Sequence, residues 1–238
     1  MEHEHTPEAI RARLADAPRA SYLRDWIYGG IDGSVTTFAV VTGVGGAELS
    51  SRIVLILGIA NLLADGFSMA ASNFLGTRTE HHEAAALRAR ELRHITHDAE
   101  GEREEVRQIF AARGFTGEHL EGAVATVTSD VERWIDFMLA EEYGLARATR
   151  SAKASAMATF SAFVICGLVP LLPFLFHLAE PFAWSVAMTA AAFFLIGSMR
   201  SRWLLQPWWR AGLETLGMGA IAAAIAYGAG VVIAQVAR

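Results

Sequence analysis

Residues 53–76 read IVLILGIANLLADGFSMAASNFLG, with Asp65 as the one ionisable side chain. At about 1.5 Å per residue, a helix of this length crosses a hydrocarbon core of about 30 Å. Directly after it the composition reverses, and from Glu80 to Lys153 the chain is dense in Glu, Arg and His. Working outward, four further apolar runs qualify: Trp26 to Gly46 before it, and Ala154 to Leu178, Pro181 to Met199 and Gly212 to Val236 after the charged stretch. The fold expected is therefore all-α: a polytopic membrane protein with five transmembrane helices and a cytoplasmic helical insert between the second and third. Its divisions are a cytoplasmic N-terminal segment at 1–25, helices 1 and 2 at 26–76, the helical domain at 77–150 and helices 3 to 5 at 151–238.

Composition agrees with that mosaic. Hydrophobic residues make up 53% of the 238 and charged residues 19%, an apolar balance for a soluble domain of this size. The net charge of −5, with no Lys/Arg block interleaved with aromatics, excludes nucleic acid as a partner. Cys166 is the only cysteine, which excludes an intrachain disulfide and a cysteine zinc site; inside an apolar run it reads as a small packing residue. No signal-peptide core lies between Met1 and Arg24, so the first span is expected to stay in the protein.

Basic residues set the orientation, because Lys and Arg are retained on the cytoplasmic side. Arg11, Arg13, Arg19 and Arg24 precede the first span, Arg147, Arg150 and Lys153 the third, and Arg200, Arg202 and Arg210 join the fourth to the fifth. Five spans put all three groups on one side and leave the other with Arg52, the turn His177 to Pro181, and Arg238. The N-terminus and insert are thus expected in the cytoplasm, at the cell (inner) membrane. Trp203, Trp208 and Trp209 beside Arg202 and Arg210 read as interfacial anchors.

Within the third span Pro170 and Pro173 lack donor N–H groups, predicting a break near Gly167. Gly29, Gly30, Gly33 and Gly43 in the first span, and Gly217, Gly219, Ala223 and Gly228 in the fifth, are small residues that let helices approach closely. The insert shows helical periodicity in Val106, Ile109 and Phe110, in Leu120, Val124 and Val127, and in Val131, Trp134, Ile135 and Met138. Gly114 and Gly117 punctuate it, and Ser129-Asp130 has the form of an N-cap.

Ionisable groups at membrane depth cost several kcal/mol and mark a path or a partner. Asp32 and Asp65 are the two clear cases. At about 100° per residue, Asn61, Asp65, Met69 and Ser72 form one polar stripe. Should the second span run unbroken into the insert, the same arc continues through Glu80, Glu83, Glu91 and His94. Pairing within the membrane for packing alone is the competing account. In the insert, Glu91 and His94 share a helix face at i, i+3, as do Glu102 and Glu105. Carboxylates and imidazole suit borderline divalent metals, and the thioether of Met138 would shift the set toward iron, although the same spacing serves a merely solvated face. His3 and His5 lie in a polar tail that reads as disordered.

Several of these stretches together carry a resemblance. Ile31-Asp32-Gly33, Gly58-Ile59-Ala60-Asn61 through Ser68-Met69, Gly167-Leu168-Val169-Pro170-Leu171-Leu172-Pro173, and Trp134 to Met138 followed by Glu142-Tyr143-Gly144-Leu145 resemble the vacuolar iron transporter family, in the family's order from Ser21 onward. The resemblance implies a homodimer of five-span subunits exchanging cytosolic Fe²⁺, and often Mn²⁺, for protons, with no catalytic cofactor. It places the membrane metal site on Asp32 and Met69 and the cytoplasmic ligands on Glu91, Glu102, Glu105, Met138 and Glu142. Asn61 stands where plant members have glutamate, and Asp65 one turn on is a candidate replacement. His94 stands at a family glutamate and Leu139 at a second methionine, a set less acidic and less rich in sulfur. No ferritin-like di-iron domain is expected ahead of the first span, unlike in some bacterial relatives.

Three functions compete. A secondary transporter exporting divalent metal leads. A membrane-anchored metal buffer or sensor would have no use for Asp32 and Asp65 in the membrane. A di-iron-type membrane enzyme would need paired Glu-x-x-His motifs on several helices, and Glu91 to His94 has no convincing partner.

Overall fold

The computed structural model of the chain describes residues 5–15, 20–145, 150–202 and 206–236, without the side chains of 13–15. His3, Arg19, Arg147, Trp203, Arg238 and the Arg13 side chain lie outside the described residues. All regular secondary structure described is helical. The chain divides into two compact units, Met1–Pro18 with Gly76–Thr149 and Arg19–Leu75 with Arg150–Arg238. After α1 (Pro7–Ala15) and α2 (Leu23–Gly46), helix α3 (Ser51–His97) runs without a break, its residues through Leu75 in one unit and those from Gly76 in the other.

The apolar unit contains α2, the first half of α3, α7 (Ala152–Leu168), a 3-10 turn (Val169–Leu171), α8 (Leu172–Leu175), α9 (Pro181–Arg200) and α10 (Trp208–Val236). Among the described residues four helical stretches are long and apolar enough to cross a membrane: α3, α7 continued through Leu175, α9 and α10. Helix α2 has the length, 24 residues, but Asp25, Asp32, its glycines and its threonines make it more polar. Its packing accounts for that, since α2 is flanked by α7, α10 and α9 and buries much of its own surface against them. A helix enclosed by neighbours needs less apolar surface than one facing lipid.

Glycines set how closely α2 meets its neighbours. A Cβ on Gly29 would lie 2.4 Å from the Thr159 carbonyl oxygen, and one on Gly33 2.3 Å from that of Phe163, so α2 and α7 touch backbone to backbone. At the other end, a Cβ on Gly230 of α10 would lie 2.1 Å from the Gly43 oxygen. The fifth-span expectation needs correcting. Gly219 packs against the Phe193 ring, but a Cβ on Gly217 or Gly228 would meet nothing within 4 Å, so neither serves a close approach among the described residues.

The break at Pro170 and Pro173 takes the form of the 3-10 turn between α7 and α8, and the Ser185 hydroxyl of α9 donates to the Pro170 carbonyl at 2.7 Å. His177 and Glu180 in the following turn both have positive φ, at 51° and 53°.

In the polar unit, α3 from Gly76 onward is followed by α4 (Ala99–Ala112), α5 (Gly117–Thr128) and α6 (Val131–Glu141). Asp98 caps α4 by accepting from Gly101 N at 3.0 Å, and Asp130 caps α6 by accepting from Arg133 N at 2.8 Å. The helices close over a core of Ile95, Val106, Val124, Trp134, Ile135 and Met138. Arg88 of α3 pairs with Glu132 and, at 2.9 Å, with Asp136, which holds α6 in register against α3.

Candidate metal centre

The chain reverses sharply between His97, the last residue of α3, and Ala99, the first of α4, with Asp98 as the cap between them. That reversal brings the last turns of α3 against the first turn of α4. Glu91, His94 and Glu102 offer ligand atoms that all lie within 4.8 Å of one another. His94 Nδ1 is 3.2 Å from Glu102 Oε1 and 3.9 Å from Glu91 Oε1.

Burial separates these carboxylates from ordinary surface acids. Glu91 is 0% exposed and Glu102 6%, and each keeps one buried oxygen, Oε2, without a hydrogen-bond partner. An unpaired carboxylate oxygen out of water costs free energy that a bound cation removes. By contrast, Glu104 and Glu121 pair with Arg107, and Glu100 pairs with Arg103. The other oxygen of Glu91, Oε1, accepts a hydrogen bond from the Tyr143 hydroxyl at 2.9 Å.

Burial, then the nearby Glu105 and Glu91 carboxylates, push the Glu102 carboxyl up to about 7, against a smaller pull from His94. Partial loss of solvent on one side also pushes the otherwise exposed Glu142 up, with Tyr143 opposing it and Glu91 and Glu105 reinforcing it. Burial and the bond to Glu91 hold the Tyr143 phenol above its ordinary range, so it remains a donor at neutral pH.

The insert residues singled out in the sequence thus fall into two groups. Glu91, His94 and Glu102 meet directly, whereas Glu105 and Glu142 are exposed and reach the cluster electrostatically. Met138 is fully buried in the apolar core beside Ile95 and Val106.

In the apolar unit, half-buried Asp32 of α2 and Met69 of α3 line one cavity of about 950 Å³, with Arg24, Arg150 and Arg200 also on its wall. Asp65 is close enough to Asp32 to act on it electrostatically, but its own side chain is exposed. Asn61 is half-buried, and its amide nitrogen is enclosed without a partner.

The order of these elements, and the carboxylate cluster between two apolar stretches, can be set beside known proteins. The sequence profile of the VIT family matches residues 23–231. The chain belongs to this family. Vacuolar iron transporter 1 of Arabidopsis thaliana is 33% identical over 208 residues, which is 86% of this chain and 83% of the relative. The vacuolar iron transporter of Centaurea cyanus is 34% identical over 211 residues, 87% and 85% of the two chains. Vacuolar iron transporter 2 of Oryza sativa subsp. japonica is 30% identical over 228 residues, 94% and 90%. These are transporters by name, and the family is not one of enzymes.

For this VIT-family chain the structure adds two groups that sequence reasoning did not single out. One is Tyr143, quoted only as part of the Glu142 to Leu145 stretch. The other is a buried polar knot in which Asp25 accepts from Asn73 Nδ2 at 3.1 Å and from Arg150, while Asn73 also donates to Thr159 Oγ1 at 2.6 Å. Periodicity could not find it, because Asp25 and Arg150 are 125 positions apart.

Proposed function

We propose that this chain is a secondary transporter that moves Fe²⁺ or Mn²⁺ out of the cytoplasm in exchange for protons. It works as a homodimer of five-span subunits in the cell membrane, with the N-terminus and insert cytoplasmic. The observation that carries the reading is the pair of buried, unpartnered carboxylate oxygens on Glu91 and Glu102 beside His94. Membership of the VIT family and the names of its relatives support iron as the cargo. Glu91, His94 and Glu102 gather the ion, Glu105 and Glu142 add negative charge, and Met138 contributes a thioether. Asp32 and Met69, from two different helices on one cavity wall, form the membrane site, with Asp65 and Asn61 on the same face of α3 as Met69. Hard carboxylates with few sulfur ligands admit Mn²⁺ as readily as Fe²⁺.

Metal flux in proteoliposomes under an imposed pH gradient tests this. Fe²⁺ or Mn²⁺ should move toward the acidic compartment, with counterflow of protons, and Glu102→Ala should slow it. A protein that binds metal but drives no flux would be a buffer or sensor, and the transport reading would fall.

A further inference from the structure

Helix α6 ends in a way that the metal ligands alone do not explain. Its last residue is Glu141, Glu142 N donates to the Met138 carbonyl, and Leu145 N donates back across six residues to the Leu139 carbonyl at 2.9 Å. Gly144, with φ at +64°, supplies the left-handed step that turns the chain back at this point. The closure fixes Tyr143 in the turn directly after Glu142. From there its hydroxyl reaches Glu91 Oε1 at 2.9 Å, 52 positions away on α3.

We infer that Tyr143 is the positioning residue of the insert's metal site, holding Oε1 of Glu91 so that the buried, unpartnered Oε2 is the oxygen presented to the cation. The inference rests on the metal-site reading above and assigns a residue to it. A carboxylate with both oxygens free rotates about its terminal torsion; one oxygen tied to a phenol leaves a single ligand atom in a defined place. The same tie joins the turn after α6, which holds Glu142 and Tyr143, to α3, which carries Glu91 and His94, so the two sides of the site are set relative to each other by one hydroxyl. Partners of metal ligands are worth about 10–100-fold in affinity.

Mn²⁺ titration of the full-length protein, followed by the EPR signal of free ion, tests this in an Asp32→Asn background so that the insert is read alone. Tyr143→Phe, which removes only the hydroxyl, should weaken Mn²⁺ binding about 10–100-fold without changing the number of ions bound or the circular dichroism. In a Glu91→Ala background, where the bonded oxygen is gone, the same change should cause no further loss; that coupling separates positioning from a general contribution to folding. Unchanged affinity in Tyr143→Phe, or an equal loss in both backgrounds, overturns the inference. Glu102→Ala separates the two levels. If it leaves Mn²⁺ binding intact, the metal site itself is refuted and the role of Tyr143 with it. If it abolishes binding while Tyr143→Phe does not weaken it, only the role of Tyr143 falls.

Discussion

Arg150 donates from one guanidinium nitrogen to both oxygens of the Asp25 carboxylate, at 2.6 Å each. Asp25 is 5% exposed, so its charge is buried, and Asn73 also donates to it while Arg150 donates to Ser155 Oγ. Removing one partner of such a pair leaves an uncompensated buried charge, which costs about 3–5 kcal/mol, while removing both costs far less. Arg150→Met should therefore lower the thermal midpoint of the detergent-solubilised protein by several degrees, and Asp25→Asn combined with it should restore much of the loss. An unchanged midpoint in the single variant would show that the pair contributes nothing to stability.

Backbone contact between α2 and α7 sets a second expectation. The atoms that an alanine at Gly33 would strike are the Phe163 oxygen and, at 2.8 Å, its Cα, and backbone cannot yield as a flexible side chain does. Gly33→Ala should separate the helices, lower the yield of folded protein and abolish flux. Gly217→Ala, which adds a methyl where nothing lies within 4 Å, serves as the control and should leave both unchanged. Equal behaviour of the two variants in size-exclusion and flux measurements would count against the close approach.

The insert should respond to pH with a predictable sign. Glu102 titrates at about 7 in the folded chain against an ordinary value of 4.5. Between those values the folded state holds a proton that the unfolded state has lost, so its contribution to metal-free stability is full below 4.5 and fades as pH rises toward 7. Metal binding runs the other way, because the cation needs the deprotonated carboxylate and displaces its proton. Mn²⁺ affinity should rise between about pH 6 and 8, with a slope that Glu102→Gln reduces. An identical pH profile in that variant would assign the dependence to another group.

Much of the fold was legible because apolar length is a local property: runs such as Ile53 to Gly76 need no knowledge of neighbours. Pro170 and Pro173 announced their break by the same logic. The site was legible only along single helices. The spacing of Glu91 and His94 placed them on one face, but the reversal at Asp98 decides that Glu102 rather than a further α3 residue completes the cluster. Helical period likewise put Met138 on an apolar stripe, where it is buried with Trp134 and Ile135. Contacts between distant segments, Tyr143 with Glu91 and Arg150 with Asp25, leave no periodic trace. Arg150 in particular stood out only as one more basic residue in the orientation argument.

The membrane site yields the most demanding prediction. Asp32 and Met69 reach the same cavity from α2 and α3, pairing a carboxylate with a soft thioether, and Asp65 lies near enough to interact with Asp32. A carboxylate there can hold a proton or help hold a divalent cation, and loading one requires release of the other; that exclusion is the physical content of antiport. Asparagine keeps the shape of aspartate but cannot carry the proton and is a weaker ligand. Asp32→Asn should therefore abolish proton-coupled Fe²⁺ and Mn²⁺ flux in proteoliposomes while the insert still binds Mn²⁺ with its original affinity. Met69→Leu removes the thioether at similar volume and should slow Fe²⁺ more than Mn²⁺, because the softer ion gains more from sulfur. Asp65→Asn, acting on Asp32 through charge alone, should reduce the rate without abolishing it. Wild-type flux in Asp32→Asn under a pH gradient would remove the carboxylate from the coupling step and end this mechanism.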